Sequence, residues 1–115
     1  MKHLKTYENS TNNTKLQIGD YVICKEIFTA MSPDEWQLQE FINNNIGQVV
    51  YLDIEKNYPY YIEYKNIPNC LNKYFSDFSD DIHTKFRGMK LYEIIYWSPN
   101  IEDLEPIIAA NKYNL

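Results

Sequence analysis

The sequence is poor in several residue types, and each shortage excludes a class of protein. Its 115 residues include a single arginine, Arg87, only three glycines and only two cysteines. Three glycines are too few for the glycine-rich loop that cradles a phosphate. Two isolated thiols provide neither a metal-ligand spacing nor a disulfide framework, so we expect both to be reduced. A Cys24–Cys70 bridge is the alternative.

Basic residues are also outnumbered, with 11 Lys and Arg against 16 Asp and Glu and a formal net charge of −5. A nucleic-acid groove needs many basic side chains on one face, because neutralising phosphates supplies most of the affinity. The composition therefore argues against nonspecific binding of nucleic acid and leaves room only for a local patch. An acidic surface can instead meet the basic groove of another protein, and its field then speeds the encounter.

Long apolar runs are missing as well. No stretch approaches the roughly 18 apolar residues of a membrane-spanning helix, and residues 1–13 lack the apolar core of a signal peptide. The sequence therefore predicts a cytoplasmic protein that does not bind membranes.

Aromatic residues, in contrast, are abundant. They make up 16% of the chain, 11 of them are tyrosines, and the hydrophobic fraction of 44% is ample for one core. Residues 1–15 are polar and are predicted to be a flexible lead-in, and residues 16–115 to form one domain without repeats.

Local patterns predict the elements of this domain. Ser32, Pro33 and Glu35 form a helix start with a capping box, so a short helix is predicted over 33–43, ended by asparagines that tolerate left-handed geometry. Alternation predicts strands at 16–27, 46–54, 60–65 and 89–97, the second and third forming a hairpin. A helical turn is predicted within 70–78, an acidic loop at 76–81 and a helical tail after Pro99.

Three short motifs lie on the predicted strands: Ile18-Gly19-Asp20-Tyr21-Val22, Ile46-Gly47-Gln48-Val49-Val50 and Tyr60-Tyr61-Ile62-Glu63-Tyr64. Together they resemble small Src-homology-type barrels, a group that includes KOW and Tudor-like domains. In such barrels the first Gly-Asp opens a strand, and the second Gly permits a bend where a Cβ would clash. The resemblance covers about residues 16–66 and 88–97. It implies a mostly β (α+β) fold, a barrel of about five antiparallel strands with an inserted helix and a C-terminal helical tail.

The bias towards Tyr, Asn and Lys and the ending Tyr113-Asn114-Leu115 also resemble short uncharacterised phage or viral proteins. That resemblance implies an accessory or anti-defence role in the host cytoplasm.

Candidate site residues follow from exposure and charge. Alternate positions of strands face outward, and Tyr and Trp dominate interface hot spots, so Tyr61, Tyr92 and Trp97 are the candidate partner-binding residues. Core packing is the alternative for each of them. A second candidate group, for binding phosphate or a single strand, is the basic set Lys85, Arg87 and Lys90 near Phe86; a solvated loop is the alternative.

No catalytic apparatus is predicted, and no cofactor. Asp77, Asp80, Asp81 and His83 could in principle hold a divalent cation, but their spacing fits no calcium loop, and a solvated acidic loop is the preferred interpretation. Cys24 with a distant histidine is a weak case for a nucleophile compared with a buried small side chain.

Several functions therefore stay open. The leading hypothesis is a non-catalytic module that acts by protein–protein contact. The alternatives are a small-molecule (nucleotide) binder with tyrosines around a pocket and a phosphate held by Lys85 or Arg87, an acidic inhibitor that mimics nucleic acid, and a hydrolase using the Asp77–His83 segment. An exposed tyrosine-rich edge strand would also permit a homodimer.

Overall fold

The fold is built on one antiparallel sheet of seven strands. The computed structural model describes residues 5–6, 15–26, 32–78 and 81–113. The strand order is β1-β7-β2-β3-β4-β6-β5, with β1 (Lys5–Thr6), β2 (Tyr21–Cys24), β3 (Gly47–Leu52), β4 (Tyr60–Tyr64), β5 (Ser76–Phe78), β6 (Asp81–Met89) and β7 (Ile94–Ser98). Two α-helices, α1 (Pro33–Asn43) and α2 (Glu105–Tyr113), and 3₁₀ helices at Asn69–Tyr74, Leu91–Glu93 and Ile101–Asp103 complete it. The chain is thus α+β and mostly β, as predicted.

The hydrogen-bonded order has two ends, β1 and β5, and no ladder joins them within the described residues. The sheet is therefore open there, where the resemblance predicted a closed barrel. The predicted hairpin of β3 and β4 is confirmed, with Val49 opposite Ile62 and Leu52 opposite Tyr60.

Helix α1 begins and ends at the predicted residues. The Ser32 hydroxyl accepts from the Glu35 amide at 3.3 Å, and the Ser32 amide donates to the Glu35 carboxylate at 3.0 Å, which completes the capping box. The helix ends differently from the expectation, because Asn44 has a φ of −114° and is not left-handed. The side-chain amides of Asn44 and Asn45 donate instead to the carbonyls of Glu40 and Phe41.

The sheet separates two apolar cores. On its inner face, Val22, Val49 and Ile62 pack with Leu38 and Ile42 of α1, all at most 1% exposed. On the outer face, α2 covers β2 and β7, and a smaller cluster forms there from Ile23, Leu104, Ile108 and the half-buried Tyr21 and Tyr96. This cluster draws on β2 and β7, so among the described residues α2 leaves the outer side of β3, β4 and β6 open.

An irregular pairing of β2 with β7 changes which residues face each core. Val22 lies opposite Trp97 and Ile23 opposite Tyr96, but Cys24 lies opposite Ile94, so the alternation slips by one residue at Ile95. The predicted strand over 89–97 therefore divides into the end of β6, a 3₁₀ helix and β7.

The sequence analysis did not predict strand β6. The acidic loop that it predicted at 76–81 is wrong over Ser76–Phe78. Those residues form β5, and β6 starts at Asp81. The two strands pair with each other, and β6 also pairs with β4, which lies about 20 residues earlier in the chain. Propensity within the segment alone does not contain that contact. Lys5–Thr6 lie inside the predicted flexible segment, but they form β1 and pair with Tyr96 and Trp97. Backbone pairing requires no apolar side chains, so a polar segment can add to a sheet. The rest of residues 1–14 lies outside the described residues.

Gly47 lies where a side chain would clash with β4. A Cβ there would overlap Ile62 Cγ2 and approach the Glu63 carbonyl oxygen to 3.1 Å. The absence of a side chain therefore lets β3 start directly against β4.

Candidate binding surface and cleft

Three aromatic rings lie on the open part of the outer face and touch one another; we call them the aromatic face. Tyr51 lies opposite Tyr61, their ring centroids 5.2 Å apart at 68°, and Tyr61 stacks on Phe86 at 5.0 Å and 10°. Tyr51 is 47% exposed, whereas Tyr61 and Phe86 are half-buried. The mutual contacts hold these rings in place, so the surface is ordered before any partner arrives.

Beside the aromatic face, a cleft of about 500 Å³ opens where the β5–β6 ladder ends at the pair Ser76–Phe86. Its described lining residues combine aromatic rings, charges and small groups, namely Glu26, Tyr58, Tyr74, Ser76, Phe86, Arg87, Gly88, Tyr92 and Glu93. This volume lies within the usual range for small-ligand pockets.

A buried ion pair forms one side of the cleft. Arg87 Nε donates to Glu26 Oε1 at 2.7 Å, and Arg87 Nη1 donates to the Tyr74 carbonyl at 3.0 Å. Glu26 is 4% exposed, so its carboxylate needs this partner. Two of the five guanidinium N–H groups are used in this way, and the other three bond to none of the described residues.

Glu93 also lines the cleft, and no cation among the described residues is bonded to its carboxylate. Its Oε1 accepts the Lys90 amide at 2.8 Å, and its Oε2 accepts no hydrogen bond from the described part of the chain. Burial raises the pKa of Glu93, and the nearby Glu26 charge raises it further, while the Lys90 amide and Arg87 lower it. The cleft thus offers a partly desolvated acceptor beside a guanidinium.

The outer rim is formed by Tyr58 and Tyr92, which are 52% and 64% exposed. Lys90 Nζ lies 5.0 Å from the Tyr58 ring centroid and 5.9 Å from that of Tyr92, a cation–π arrangement that links the two. Tyr58 packs on Gly88, where a Cβ would come within 2.8 Å of the Tyr58 Cβ. Glycine at this position therefore lets the rim close onto β6.

The structure places the predicted partner-binding residues in three different environments. Tyr61 belongs to the aromatic face, and Tyr92 to the rim of the cleft. Trp97 requires a correction: it is 1% exposed and packs in the inner core, opposite Val22. The prediction assumed that one side of its strand faces water, but the inner core covers one side of β7 and α2 the other.

The predicted phosphate-binding residues are not brought together at one point. Lys85 pairs with Asp77, Arg87 with Glu26, and Lys90 lies over two tyrosine rings. Each cation thus has a partner within the chain, and of the three only Arg87 lines the cleft.

The sequence analysis did not single out four residues that line the cleft and supply its carboxylates and two of its aromatic rings, namely Glu26, Glu93, Tyr58 and Tyr74. The signal for Glu93 was an acid within the apolar run Leu91–Trp97, which is unusual for a strand buried on both sides. Glu26 becomes informative only when β6 brings Arg87 to it across the fold.

Metal and thiol chemistry receive little support from the described residues. Among them, no group of three or more His, Cys, Asp or Glu side chains is arranged to hold a metal ion. Asp80 and the side chains of Asp81 and His83 lie outside the described residues. Cys24 is buried, Cys70 is exposed, and both thiols are free; burial raises the pKa of Cys24 to about 12, which disfavours the nucleophilic thiolate.

Comparisons with protein-family models, with curated proteins and with solved structures found no match to this chain. In the described parts of the chain, no helix has the length and apolar character needed to cross a membrane. The case for function therefore depends on the aromatic face and the cleft.

Proposed function

We propose that this chain is a non-catalytic binding module that acts by protein–protein contact through the aromatic face. The observation that carries the proposal is the set of contacting rings Tyr51, Tyr61 and Phe86 on the part of the outer face that α2 leaves open. Rings already held by their neighbours lose little freedom on binding, and tyrosine is enriched among hot-spot residues.

The proposal includes the fold and the setting of the protein. The order β7-β2-β3-β4-β6, with each neighbouring pair antiparallel, supports a variant of the small Src-homology-type barrel that has stayed open. The resemblance to short phage or viral proteins supports an accessory or anti-defence role, exerted on a host factor in the cytoplasm.

The partner that fits is a protein with a basic surface, because the chain carries a net charge of −5. Mimicry of nucleic acid has less support; it would use the acids Asp77, Asp80, Asp81, Glu102, Asp103 and Glu105. Asp77 is paired with Lys85, and the Asp103 carboxylate accepts from the Ser98 hydroxyl at 2.6 Å, so both already have structural roles.

A capture experiment with matched variants tests the proposal. The tagged chain and the double variant Tyr51→Ser, Tyr61→Ser are incubated with nuclease-treated host lysate, and retained proteins are identified by mass spectrometry. We expect one protein that the wild type retains and that binds the variant at least tenfold more weakly, which corresponds to about 1.4 kcal/mol of binding free energy. The control is Trp36→Ser, which removes a 53%-exposed aromatic from α1 on the other side of the sheet.

Equal retention by wild type and the Tyr51, Tyr61 double variant would disprove the role of the aromatic face. Loss of retention in Trp36→Ser alone would move the interface to α1. Circular dichroism of each variant shows that the fold is kept.

A second candidate function, binding of a small molecule such as a nucleotide, is favoured by the cleft. Four aromatic side chains surround a space of about 500 Å³ that also contains an arginine and two carboxylates. Aromatic walls with a few polar groups are the usual features of a small-ligand site.

A further inference from the structure

The cleft differs in its chemistry from the phosphate site that the sequence suggested. An anion entering it would meet Glu26 and Glu93, and the Arg87 guanidinium is already bonded to one of these carboxylates. A phosphate group is therefore disfavoured inside, even though a cation lines the wall. The group that fits must bring N–H donors to Glu93.

Aromatic walls restrict the shape of that group. Tyr58, Tyr74 and Tyr92 line the cleft together with Phe86, and the rim rings are held in place by Lys90 and by close packing on Gly88. Stacking on such rings favours a flat, unsaturated ligand, because a planar π-system can lie parallel to a tyrosine ring. A planar heterocycle with N–H donors is the class of ligand that satisfies both conditions.

The arrangement of donors and acceptors narrows the class further. Glu93 Oε2 accepts no hydrogen bond from the described residues. Arg87 donates to Glu26 and to the Tyr74 carbonyl, and its other three N–H groups bond to none of the described residues. Arg87 is also close enough to influence the Glu93 charge. Guanine presents a matching edge, with two adjacent N–H donors, N1 and N2, next to the acceptor O6.

We propose that the cleft binds the guanine base of a nucleoside or nucleotide, stacked against Tyr92 and Tyr58, with N1–H and N2–H donating to Glu93 and Arg87 donating to O6. This inference rests on the second candidate function and names its ligand. The ribose and any phosphate extend past the rim into solvent and contribute little affinity.

Titration of the ¹⁵N-labelled full chain, followed by amide chemical shifts, tests this site in phosphate-free buffer. The probes are GMP, guanosine, IMP and AMP; IMP keeps O6 and N1–H but lacks the N2 amino group. We expect GMP and guanosine to bind within about twofold of each other, with shifts at residues 58, 87–88 and 92–93. IMP should bind about tenfold more weakly, because a hydrogen bond to a charged acceptor is lost, and AMP more weakly still.

Variants locate the interaction. Glu93→Gln should weaken GMP binding about tenfold or more and reduce the preference over IMP, and Tyr92→Leu should weaken GMP and IMP alike by about fivefold or more. The matched control is Glu55→Gln in the exposed β3–β4 loop, which should bind GMP as the wild type does. The amide spectrum of each variant shows directly whether it is folded.

Different failures have different meanings. Equal affinity for GMP, IMP and AMP would overturn the guanine assignment and leave a small-molecule site that acts by stacking alone. The same shifts with ribose 5-phosphate would show an anion site and overturn the inference, and shifts with N-acetyl-arginine amide but not GMP would assign the cleft to a partner's arginine. No shift with any probe would overturn the second candidate function too, while the capture experiment on the aromatic face would stand.

Discussion

The ion pair of Glu26 and Arg87 is the clearest case in which one residue determines the environment of another. Glu26 is almost fully buried, whereas the Arg87 side chain is 23% exposed. Burying a carboxylate is costly, and a single-point contact to a guanidinium only partly offsets that cost. The pair therefore adds little net stability, but loss of its cation leaves an unpaired buried charge.

Replacing Arg87 should reveal that asymmetry. We expect Arg87→Met to lower the free energy of unfolding by about 2–3 kcal/mol, since Glu26 and the Tyr74 carbonyl lose their donor and partial exposure reduces the full cost of a broken buried pair. Urea unfolding at pH 7 measures it. Adding Glu26→Gln should restore part of the loss, because the uncompensated charge is then gone.

The control for this prediction is Lys73→Met, which breaks the Lys73–Asp34 pair on the surface, where the two side chains are 58% and 44% exposed. Solvent screens that pair, so its loss should not measurably change stability. Equal destabilisation by the two variants would show that the cleft pair has no special role.

At the scale of elements, helix α1 and strand β6 show what local sequence could and could not predict. The bounds of α1 follow from Ser32, Pro33 and Glu35, three neighbours whose signals act within one turn. Residues 81–87 of β6 also carry a local signal, because polar residues at 81, 83, 85 and 87 alternate with Ile82, Thr84 and Phe86. The acids at 77, 80 and 81 led to the prediction of a loop instead, and the pairing of β6 with β4 could not be predicted from this segment alone.

The same distinction applies to the candidate site. Tyr61 could be selected because alternation places it on the outer face of its strand, which is a local property. Tyr92 is exposed as expected, but it lies in the 3₁₀ helix Leu91–Glu93 and not on the predicted strand. The burial of Trp97 depends on the inner core, which is formed by residues distant in sequence, and the cleft depends on Glu26 and Arg87, 61 residues apart in sequence, meeting in space. Contacts at such separations leave no mark on periodicity.

The capping box makes a prediction for α1. Ser32→Ala removes the hydroxyl that accepts the Glu35 amide, so the free energy of unfolding should fall by about 1 kcal/mol. Ser32→Asp keeps an acceptor next to the positive end of the helix dipole and should be as stable as the wild type. Urea denaturation of both variants measures the effect; an unchanged Ser32→Ala variant would show that the cap contributes nothing.

At the scale of the whole molecule, charge and shape act together. The chain has a net charge of −5 and an aromatic face on the outer side of the sheet. Two exposed acids, Glu102 and Glu105, lie just before α2 and at its start. Long-range fields guide the approach of a partner, whereas stacked rings determine how long it stays. The two properties can therefore be separated kinetically.

Association with the captured partner should slow as salt rises. Between about 50 and 500 mM NaCl, screening shortens the range of the field, so the association rate constant should fall about tenfold while dissociation changes little. Surface plasmon resonance measures both rates. Glu102→Lys, Glu105→Lys should slow association in low salt without faster release, and an association rate that is independent of salt would contradict a basic partner.

The pairing of β2 with β7 has a consequence for biosynthesis. Residues 21–24 leave the ribosome long before residues 94–98, which form the neighbouring strand. At about 5–20 residues per second, the 74 residues from Lys25 to Ser98 take roughly 4–15 s to make. During that interval β2 has at least one unpaired edge, and Ile23 lacks the cover of α2, so the nascent chain presents a strand edge that can pair with other chains until β7 is made.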